Sequence, residues 1–205
     1  MHVCAFVDSR DEQYALLLPF LREGLRANAQ IATMVGEGHV ADHLTRLRRD
    51  GLAPEALIAD GRLKVTTAEQ TFPRAATATP ERILAQAELD IDAAHVAGFH
   101  SMRGFREMDC AFASMRRADE LLEYETRLNF LALRLAEPIV CVYDINRLSA
   151  AMFAEILCAH PKAVIGGVLQ ENPYFVPPRA GLRRVAERAR RRSVARERRA
   201  WALRV

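Results

Sequence analysis

Apolar and polar residues alternate along the chain in a pattern that predicts strands followed by helices, beginning with the first segment. Val3 to Val7 is a β-branched and aromatic run of strand length, and apolar residues recur at helical spacing from Tyr14 to Leu25. Between the two, Ser9 and Glu12 form a capping box, in which each side chain satisfies a backbone N–H at a helix start. The first helix is therefore expected to begin near Arg10.

The same pattern continues and predicts further strands separated by helices. The predicted strands are Gln30 to Val35, Leu63 to Thr67, His100 to Phe105, Ile139 to Tyr143 and Ala163 to Leu169. The predicted helices cover residues 40–50, 80–97, 121–135 and 149–159, with a short helical turn after Pro54. Helices are expected to end at Gly24, Gly51 and Gly98, because glycine adopts the left-handed conformation without a Cβ penalty. Residues 68–79 lack periodicity and are expected to form a loop or lid.

Strands that alternate with helices indicate an α/β fold, with a mostly parallel central sheet covered by helices on both faces. A strand that leads into a helix N-terminus suits a bound phosphate, but a phosphate loop also needs glycines and a lysine. Asp8 to Tyr14 contains neither, and its carboxylates outnumber its one arginine, Arg10. The opening segment is therefore interpreted as a degenerate P-loop, with nucleotide-type architecture and without nucleotide chemistry.

Composition limits the class of protein further. The length of 205 residues fits one domain with an appendage, and no apolar run approaches the ~20 residues of a membrane span. The start does not resemble a signal peptide, so a cytoplasmic protein is expected. The four cysteines form no C-x-x-C pair, which favours reduced thiols over disulfides.

Charge divides the chain into a domain, residues 1–178, and an Arg-rich tail or linker, residues 179–205. The tail carries eleven Arg against two Glu, so the domain must carry −6 to give the net charge of +3. The tail is expected to be a basic C-terminal helix. It could bind nucleic-acid phosphates or dock on the acidic domain or a partner, and docking is favoured. The candidate contact residues are Arg183, Arg184, Arg188, Arg191 and Arg192.

Ligands of such sheets lie at the carboxyl ends of the strands, near the point where strand order reverses. This rule selects the segments 8–10, 103–107 and 143–144, whose carboxylates, arginine and phenol suit a small polar or amphipathic ligand. Glu125 and Asn129 lie one helical turn apart and could share a hydrogen-bonding site. An Arg103–Glu107 ion pair, a structural face around Glu125 and a capping role for Asp144 remain alternatives. The candidate ligand-binding residues are Asp8, Arg103, Glu107, Tyr124, Glu125, Asn129, Tyr143 and Asp144.

A metal or redox site is a further hypothesis. His2 and Cys4 lie two residues apart on one strand face, Cys141 could lie on a neighbouring strand, and imidazole and thiolate suit zinc. The favoured alternative is that both cysteines are core residues, as buried free cysteines usually are. No cofactor is expected. No nucleophile elbow or zinc-protease motif is present, so no catalysis is expected, and His160 is interpreted as a helix-terminal residue.

Several short motifs together resemble a known family. In chain order they are HVCAFVDSRDE, PFLREGL, RLKVTTAEQTF, RGFREM, LLEYETRLNF, PIVCVYD and HPKAVIGGVLQENPYFVPP. Their order and spacing resemble the MEDS domain, the sensory domain of the DcmR repressor of methylotrophs and of methanogen signalling proteins. The resemblance covers residues 1–178 and implies sensing of small hydrocarbon derivatives, usually upstream of a DNA-binding or kinase module.

The resemblance also bears on individual positions. At Asp109-Cys110 the family commonly shows an aromatic residue, which implies a smaller or more polar pocket here. Residues 19–65 are also similar to the start of RecA/KaiC-type ATPases, which implies a RecA-like fold that lacks the phosphate loop. The positions that match the family's recurrent residues are His2, Cys4, Asp8, Arg103, Glu107, Tyr124, Glu125, Asn129, Cys141, Tyr143, Asp144 and His160-Pro161.

The leading hypothesis is a non-catalytic sensory domain that binds a small molecule and signals through its C-terminal helix to a protein partner or output module. A homo-oligomer is compatible with this role, and no membrane span is expected. One alternative is a degenerate RecA/KaiC-like nucleotide-binding protein or ATPase. Another is a nucleic-acid-binding regulator that acts through the Arg-rich tail.

Overall fold

The computed structural model describes residues 1–73, 79–114 and 118–202. In these ranges seven strands form one sheet in the order β3-β2-β4-β5-β1-β6-β7, in which only β7 runs antiparallel to its neighbour. This confirms the predicted α/β fold with a mostly parallel sheet. The strands are β1 (His2–Val7), β2 (Ala29–Val35), β3 (Leu63–Thr67), β4 (Ser101–Glu107), β5 (Ile139–Asp144), β6 (Lys162–Ile165) and β7 (Val168–Glu171).

Helices cover both faces of the sheet. They are α1 (Arg10–Arg26), α2 (Val40–Arg49), α3 (Pro54–Ala59), α4 (Ala68–Thr71), α5 (Pro80–Val96), α6 (Met108–Ser114), α7 (Ala118–Arg134), α8 (Ala150–Ala159) and α9 (Pro178–Ala202). Short 3₁₀ turns follow β2, at Glu37–His39, and β5, at Ile145–Arg147. Within the described residues, no helix has the length and apolar character needed to cross a membrane.

Strand β1 lies inside the sheet and has both faces buried. Val3, Ala5 and Val7 point to one face, where they pack with residues of α1, α2 and α3. Cys4 and Phe6 point to the other face, where they pack with residues of α5, α7 and α8. Because a strand buried on both faces needs apolar side chains throughout, β1 is a continuous apolar run rather than an alternating one.

Local capping follows the sequence. The Ser9 hydroxyl accepts a hydrogen bond from the Glu12 N–H at 3.3 Å, and Ser149 caps α8 in the same way at 3.2 Å. Thr79 caps α5 and is followed by Pro80 at the first helical position, where its missing N–H costs nothing. These three predicted helix starts are confirmed.

The expected helix end at Gly24 is wrong. Helix α1 continues to Arg26, and Asn28 takes the left-handed conformation instead, with φ 54°. Gly24 is required for a different reason, since a Cβ at this position would lie 2.5 Å from Ile31 Cδ1 and 2.7 Å from Arg103 Cδ. The glycine therefore lets α1 lie close against the sheet.

The predicted sixth strand is also wrong, because it is a hairpin of two strands. Gly166 and Gly167 form the turn between β6 and β7, with φ of 58° and 75°. Positive φ at both central residues defines the two-residue turn that matches the twist of a hairpin.

Two further helices, α4 and α6, were not predicted. Helix α4 lies within the expected lid, and residues 74–78 of that lid lie outside the described residues.

The C-terminal helix α9 packs on the domain. Val185 is buried, and a Cβ at Gly181 would lie 2.9 Å from Thr126 Cγ2 of α7. Arg188 forms an ion pair with Glu155 of α8, and Arg192 Nη1 lies 3.0 Å from Asp119 Oδ2 of α7. Helix α9 thus contacts the domain through Gly181, Val185 and the paired charges of Arg188 and Arg192.

The positive φ of Gly167 in the β6–β7 hairpin can be tested by substitution. We expect Gly167→Ala to lower the free energy of unfolding by about 1 kcal/mol, because an L-residue with a Cβ is strained at positive φ. Gly38→Ala is the matched control, since a Cβ would meet nothing within 4 Å at either glycine but only Gly167 has positive φ. Urea unfolding of the three proteins measures the difference. Equal stabilities of both variants would contradict the hairpin geometry.

Candidate functional site

Strands β1 and β5 are neighbours, but the helices that follow them lie on opposite faces of the sheet, α1 on one and α8 on the other. Such a switch point opens a crevice at the carboxyl ends of the two strands. Asn146 Nδ2 donates to the Asp8 carbonyl at 3.1 Å, and the Asp144 N–H donates to Asp109 Oδ2 at 2.9 Å. The segments after β1, β4 and β5 therefore meet at this edge.

Glu107, the last residue of β4, lies at the centre of the edge and is 4% exposed. Arg10 Nη1 and Gln13 Nε2 both donate to its Oε1 at 2.7 Å, and His39 Nδ1 lies 2.8 Å from Oε2. The Gly36 N–H also donates to Oε2, at 3.1 Å. Burial favours a raised pKa for Glu107, but the hydrogen bonds from His39 and Gln13 and the charge of Arg10 outweigh it and lower the pKa. We call these five residues the edge cluster.

Gly36 is the member of the edge cluster that donates from its backbone. A Cβ at this position would lie 2.6 Å from Cys110 Sγ, so glycine is required where α6 and the end of β2 meet. The close approach brings the Gly36 N–H within hydrogen-bonding distance of the Glu107 carboxylate.

A cavity of about 80 Å³ lies beside the edge cluster. Burial raises the pKa of Asp109 to about 6, with the charge of Asp144 acting in the same direction, and burial raises the pKa of Cys110 to about 11. The volume suits a molecule of only a few non-hydrogen atoms, since drug-sized ligands occupy roughly 300 Å³ or more. The lining residues outside the edge cluster are Val7, Ser9, Asp109, Cys110, Val142, Asp144 and Arg147.

The N-terminus of α1 faces the same edge and is occupied by the chain's own side chains. Ser9 accepts from the Glu12 N–H, and Glu12 Oε2 in turn accepts from the Asp8 N–H at 2.8 Å. Asp11 lies in the first turn and forms an ion pair with Arg46 at 2.6 Å. Carboxylates thus stand where a phosphate loop would present N–H groups.

A second polar group lies inside the domain, on the face covered by α7 and α8. His2 Nε2 lies 3.1 Å from Glu125 Oε2 and 3.4 Å from Cys141 Sγ. His160 Nε2 lies 3.4 Å from the same Glu125 oxygen, and the Cys141 thiol lies 3.5 Å from it. All four side chains are at most 1% exposed. We call these four residues the buried tetrad.

Two further side chains surround the buried tetrad. Tyr143 donates to Glu125 Oε1 at 2.5 Å, and Asn129 Oδ1 lies 3.1 Å from His2 Nδ1. Burial and the neighbouring His160 lower the pKa of His2 to about 4. Burial and the charge of Glu125 raise the pKa of Cys141 and of Tyr143 well above their ordinary values.

The structure divides the sequence-predicted ligand residues among several places. Asp8, Glu107 and Asp144 lie at the edge, whereas Glu125, Asn129 and Tyr143 lie in and around the buried tetrad. Tyr124 is buried and bonds to Arg106, which lines a separate cavity of about 250 Å³ between the sheet and α5.

The expectation that Arg103 lies at a strand end is wrong. Strand β4 runs to Glu107, two residues beyond its predicted end, so Arg103 is an interior residue of the strand. Arg103 Nη1 lies 3.1 Å from Glu23 Oε2, close to the C-terminal end of α1, and therefore away from the edge cluster.

The metal hypothesis placed Cys4 with His2 and Cys141, but the Cys4 thiol points to the Lys162 carbonyl at 3.7 Å.

Sequence reasoning missed Gln13, His39 and His160 as members of these groups. Gln13 lies at a polar position of an amphipathic helix, where nothing distinguishes it from a solvent-exposed residue. His39 follows β2, whose carboxyl end was not among the segments selected for ligand binding. His160 was assigned a local role, and it does cap α8, but its Nε2 also faces Glu125. A histidine in the short segment after a buried strand, four residues beyond its end, could have pointed to His39.

Ligand-type atoms lie within 4.8 Å of one another in two groups of the described residues. One is the buried tetrad. The other is His39, Glu107 and Cys110, but there the Arg10 guanidinium already lies 2.7 Å from the Glu107 carboxylate. Because a fixed positive charge competes with a cation, the buried tetrad is the better metal candidate.

The fold and the edge cluster define a doubly wound α/β domain that gathers polar side chains where its central strands end. The family model of the MEthanogen/methylotroph, DcmR Sensory domain matches residues 1–161, so the chain belongs to the MEDS family. This membership indicates a sensory role. No curated protein matches the chain.

Asp109 gives a pH test of the edge. Its pKa of about 6 lies above the ordinary 3.8, so Asp109 favours the folded state at acid pH, and this contribution is lost as the pH rises through about 6. We expect Asp109→Asn, which keeps an acceptor for the Asp144 N–H, to become more stable relative to the unaltered chain between pH 4 and pH 7. Urea unfolding across this range measures the difference. A difference that does not change with pH would contradict the raised pKa.

Proposed function

We propose that the domain is a non-catalytic sensor that binds a small polar or amphipathic molecule, such as a simple hydrocarbon derivative, in the cavity beside the edge cluster. The observation that carries the proposal is Glu107, a buried carboxylate held by Arg10, Gln13 and His39 beside that cavity. Because these side chains already hold one another in place, they lose little further rotamer freedom when a ligand binds. This lower entropy cost favours affinity for a small molecule. Membership of a sensory-domain family supports the same role.

A nucleotide ligand is disfavoured by the same edge. The strand order and the position of α1 support a RecA-like arrangement, in which a phosphate would bind at the start of α1. In this chain Asp11 and Glu12 occupy that place, and a like charge at about 4 Å costs about 4 kcal/mol at an effective dielectric of ~20. The cavity of about 80 Å³ is also too small for a nucleotide.

Helix α9 is the element proposed to transmit the ligand state to a protein partner or output module. It packs on α7 and α8, which cover the sheet next to β5, a strand that ends at the proposed site. A ligand can shift the position of α9 only if it binds one arrangement more tightly than the other. Nucleic-acid binding by α9 is less favoured, because Arg188 and Arg192 are already paired with acidic residues of the domain.

Native mass spectrometry of the full chain tests ligand binding. The probes are methanol, methylamine, formate and dichloromethane, added separately, with Mg-ATP as a further sample. We expect one probe, or a co-purified small molecule, to bind the unaltered chain and not Arg10→Gln. Arg103→Gln is the matched control. Like Arg10, Arg103 forms an ion pair with a glutamate, Glu23 of α1, but Arg103 lies away from the cavity.

The outcomes separate the hypotheses. Binding that survives in Arg10→Gln would place the ligand elsewhere, with the cavity of about 250 Å³ as the next candidate. A stoichiometric ATP adduct would instead support the alternative hypothesis of a nucleotide-binding protein. Circular dichroism of both variants checks that a lost adduct does not reflect unfolding.

The docking of α9 is tested by hydrogen–deuterium exchange. We expect Arg188→Ala with Arg192→Ala to raise exchange in residues 178–195, because the ion pairs of these two arginines with the domain are removed. Arg183→Ala with Arg191→Ala is the matched control, since it removes the same charge from exposed positions of the same helix. Equal exchange in the two double variants would rule out a specific electrostatic contact.

A further inference from the structure

Four side chains that commonly bind metals converge in the core of the domain, outside the edge cluster. They come from four different elements: His2 from β1, Glu125 from α7, Cys141 from β5 and His160 from the end of α8. Their nearest ligand-type atoms all lie within 4.8 Å of one another. None of the four contacts solvent appreciably.

Four of the six separations between ligand atoms of the buried tetrad are close to those around a tetrahedral ion, and the other two are within 4.8 Å. Zinc binds nitrogen and oxygen at about 2.0–2.1 Å and sulfur at about 2.3 Å, which places tetrahedral ligands about 3.3–3.6 Å apart. The observed separations are 3.1 Å from His2 Nε2 to Glu125 Oε2 and 3.4 Å from His2 Nε2 to Cys141 Sγ. The Glu125 oxygen lies 3.5 Å from Cys141 Sγ and 3.4 Å from His160 Nε2.

The two imidazole rings are oriented from outside the tetrad. Asn129 uses its Nδ2 to donate to the Glu125 and Ala159 carbonyls, at 3.1 and 2.7 Å, so its Oδ1 accepts from His2 Nδ1 at 3.1 Å. His160 Nδ1 donates to the Ile156 carbonyl at 2.7 Å. A hydrogen on Nδ1 leaves the Nε2 lone pair of each neutral ring directed at the same Glu125 oxygen. This is the arrangement that outer-shell acceptors impose on metal-binding histidines.

Three inner atoms of the tetrad, the Glu125 oxygen and the two Nε2 atoms, are acceptors, and within the tetrad only the Cys141 thiol donates to this oxygen, at 3.5 Å. A carboxylate oxygen cannot donate to an imidazole lone pair, and His160 Nε2 has no hydrogen-bond partner among the described residues. A doubly charged cation would satisfy the two lone pairs and balance one carboxylate and one thiolate. The buried unit would then carry no net charge, which removes the cost of an uncompensated buried carboxylate.

We propose that His2, Glu125, Cys141 and His160 bind one divalent transition-metal ion, zinc by preference, as a structural site. Two nitrogen ligands, one sulfur and one oxygen in tetrahedral geometry suit zinc, and four protein ligands leave no open position for catalysis. Tyr143 holds the other Glu125 oxygen at 2.5 Å and so keeps Oε2 turned to the ion. The ion would join β1, β5, α7 and the end of α8. Its binding energy would contribute to folding, and its burial would make exchange slow.

Metal analysis of the full chain provides the test. The reduced protein is refolded with Zn²⁺, dialysed against buffer containing a mild chelator, and assayed by plasma mass spectrometry. We expect one zinc ion per chain. Refolding with Co²⁺ instead should give the visible bands of a tetrahedral cobalt ion and a thiolate-to-cobalt charge-transfer band in the near ultraviolet.

Cys141→Ser is expected to lose the charge-transfer band and most of the bound metal. Cys4→Ser is the matched control, because Cys4 is the register partner of Cys141 and equally buried, but its thiol points to the Lys162 carbonyl. It should keep both the band and one metal ion per chain. Loss of metal in Cys4→Ser but not in Cys141→Ser would overturn the assignment.

The unaltered chain alone can also overturn the proposal, which matters if Cys141→Ser does not fold. A folded chain that retains no zinc and gives no thiolate-to-cobalt band would mean that a proton on one of the imidazole rings neutralises Glu125 instead. Zinc retained without a thiolate band in the cobalt protein would exclude Cys141 as a ligand. Either result rejects the site as proposed.

Discussion

The free-energy cost of burying a carboxylate governs both polar groups of this domain. Glu107 and Glu125 lie on opposite faces of the same sheet and are almost fully buried. An uncompensated charge in such a place costs several kcal/mol, so the surrounding sequence must supply donors or opposite charge. Each carboxylate therefore dictates the side chains around it.

The two carboxylates are compensated in different ways. Glu107 receives the guanidinium of Arg10 and three further donors, so its charge is balanced by the chain itself. Glu125 receives the hydroxyl of Tyr143 on one oxygen, while its other oxygen faces two imidazole nitrogens and a thiol. The first arrangement leaves a polar surface beside a cavity at an edge open to solvent. The second is closed, so it suits an ion that stays in place rather than a ligand that comes and goes.

The sequence predicted the parts of the fold that depend on local patterns. A strand buried on both faces must be apolar throughout, and a capping box marks a helix start, so β1 and the start of α1 were found. The role of Gly24 was not predicted because it depends on packing between elements: Ile31 of β2 and Arg103 of β4 leave no room for a Cβ. The β6–β7 hairpin was missed because a continuous apolar run concealed the two glycines at its centre.

The sites were predicted only in part, for a related reason. The strand-end rule found Glu107 and Asp144, because topology alone brings strand ends together. It could not find Gln13 or His39, whose approach to Glu107 depends on how α1 and the end of β2 pack. Strand periodicity placed His2 and Cys4 on one face, and Cys141 was expected only on a neighbouring strand. Only the register and the position of α7 select Cys141 over Cys4.

Topology and loop chemistry make separate contributions to what this domain can bind. Strand order and the opposite placement of α1 and α8 create the crevice whatever residues line it. The loop after β1 then decides whether N–H groups are free for a phosphate, and here Ser9 and Glu12 accept hydrogen bonds from two of them. A doubly wound scaffold can thus lose a phosphate site through changes to a few residues at the edge, while both hydrophobic cores stay as they are.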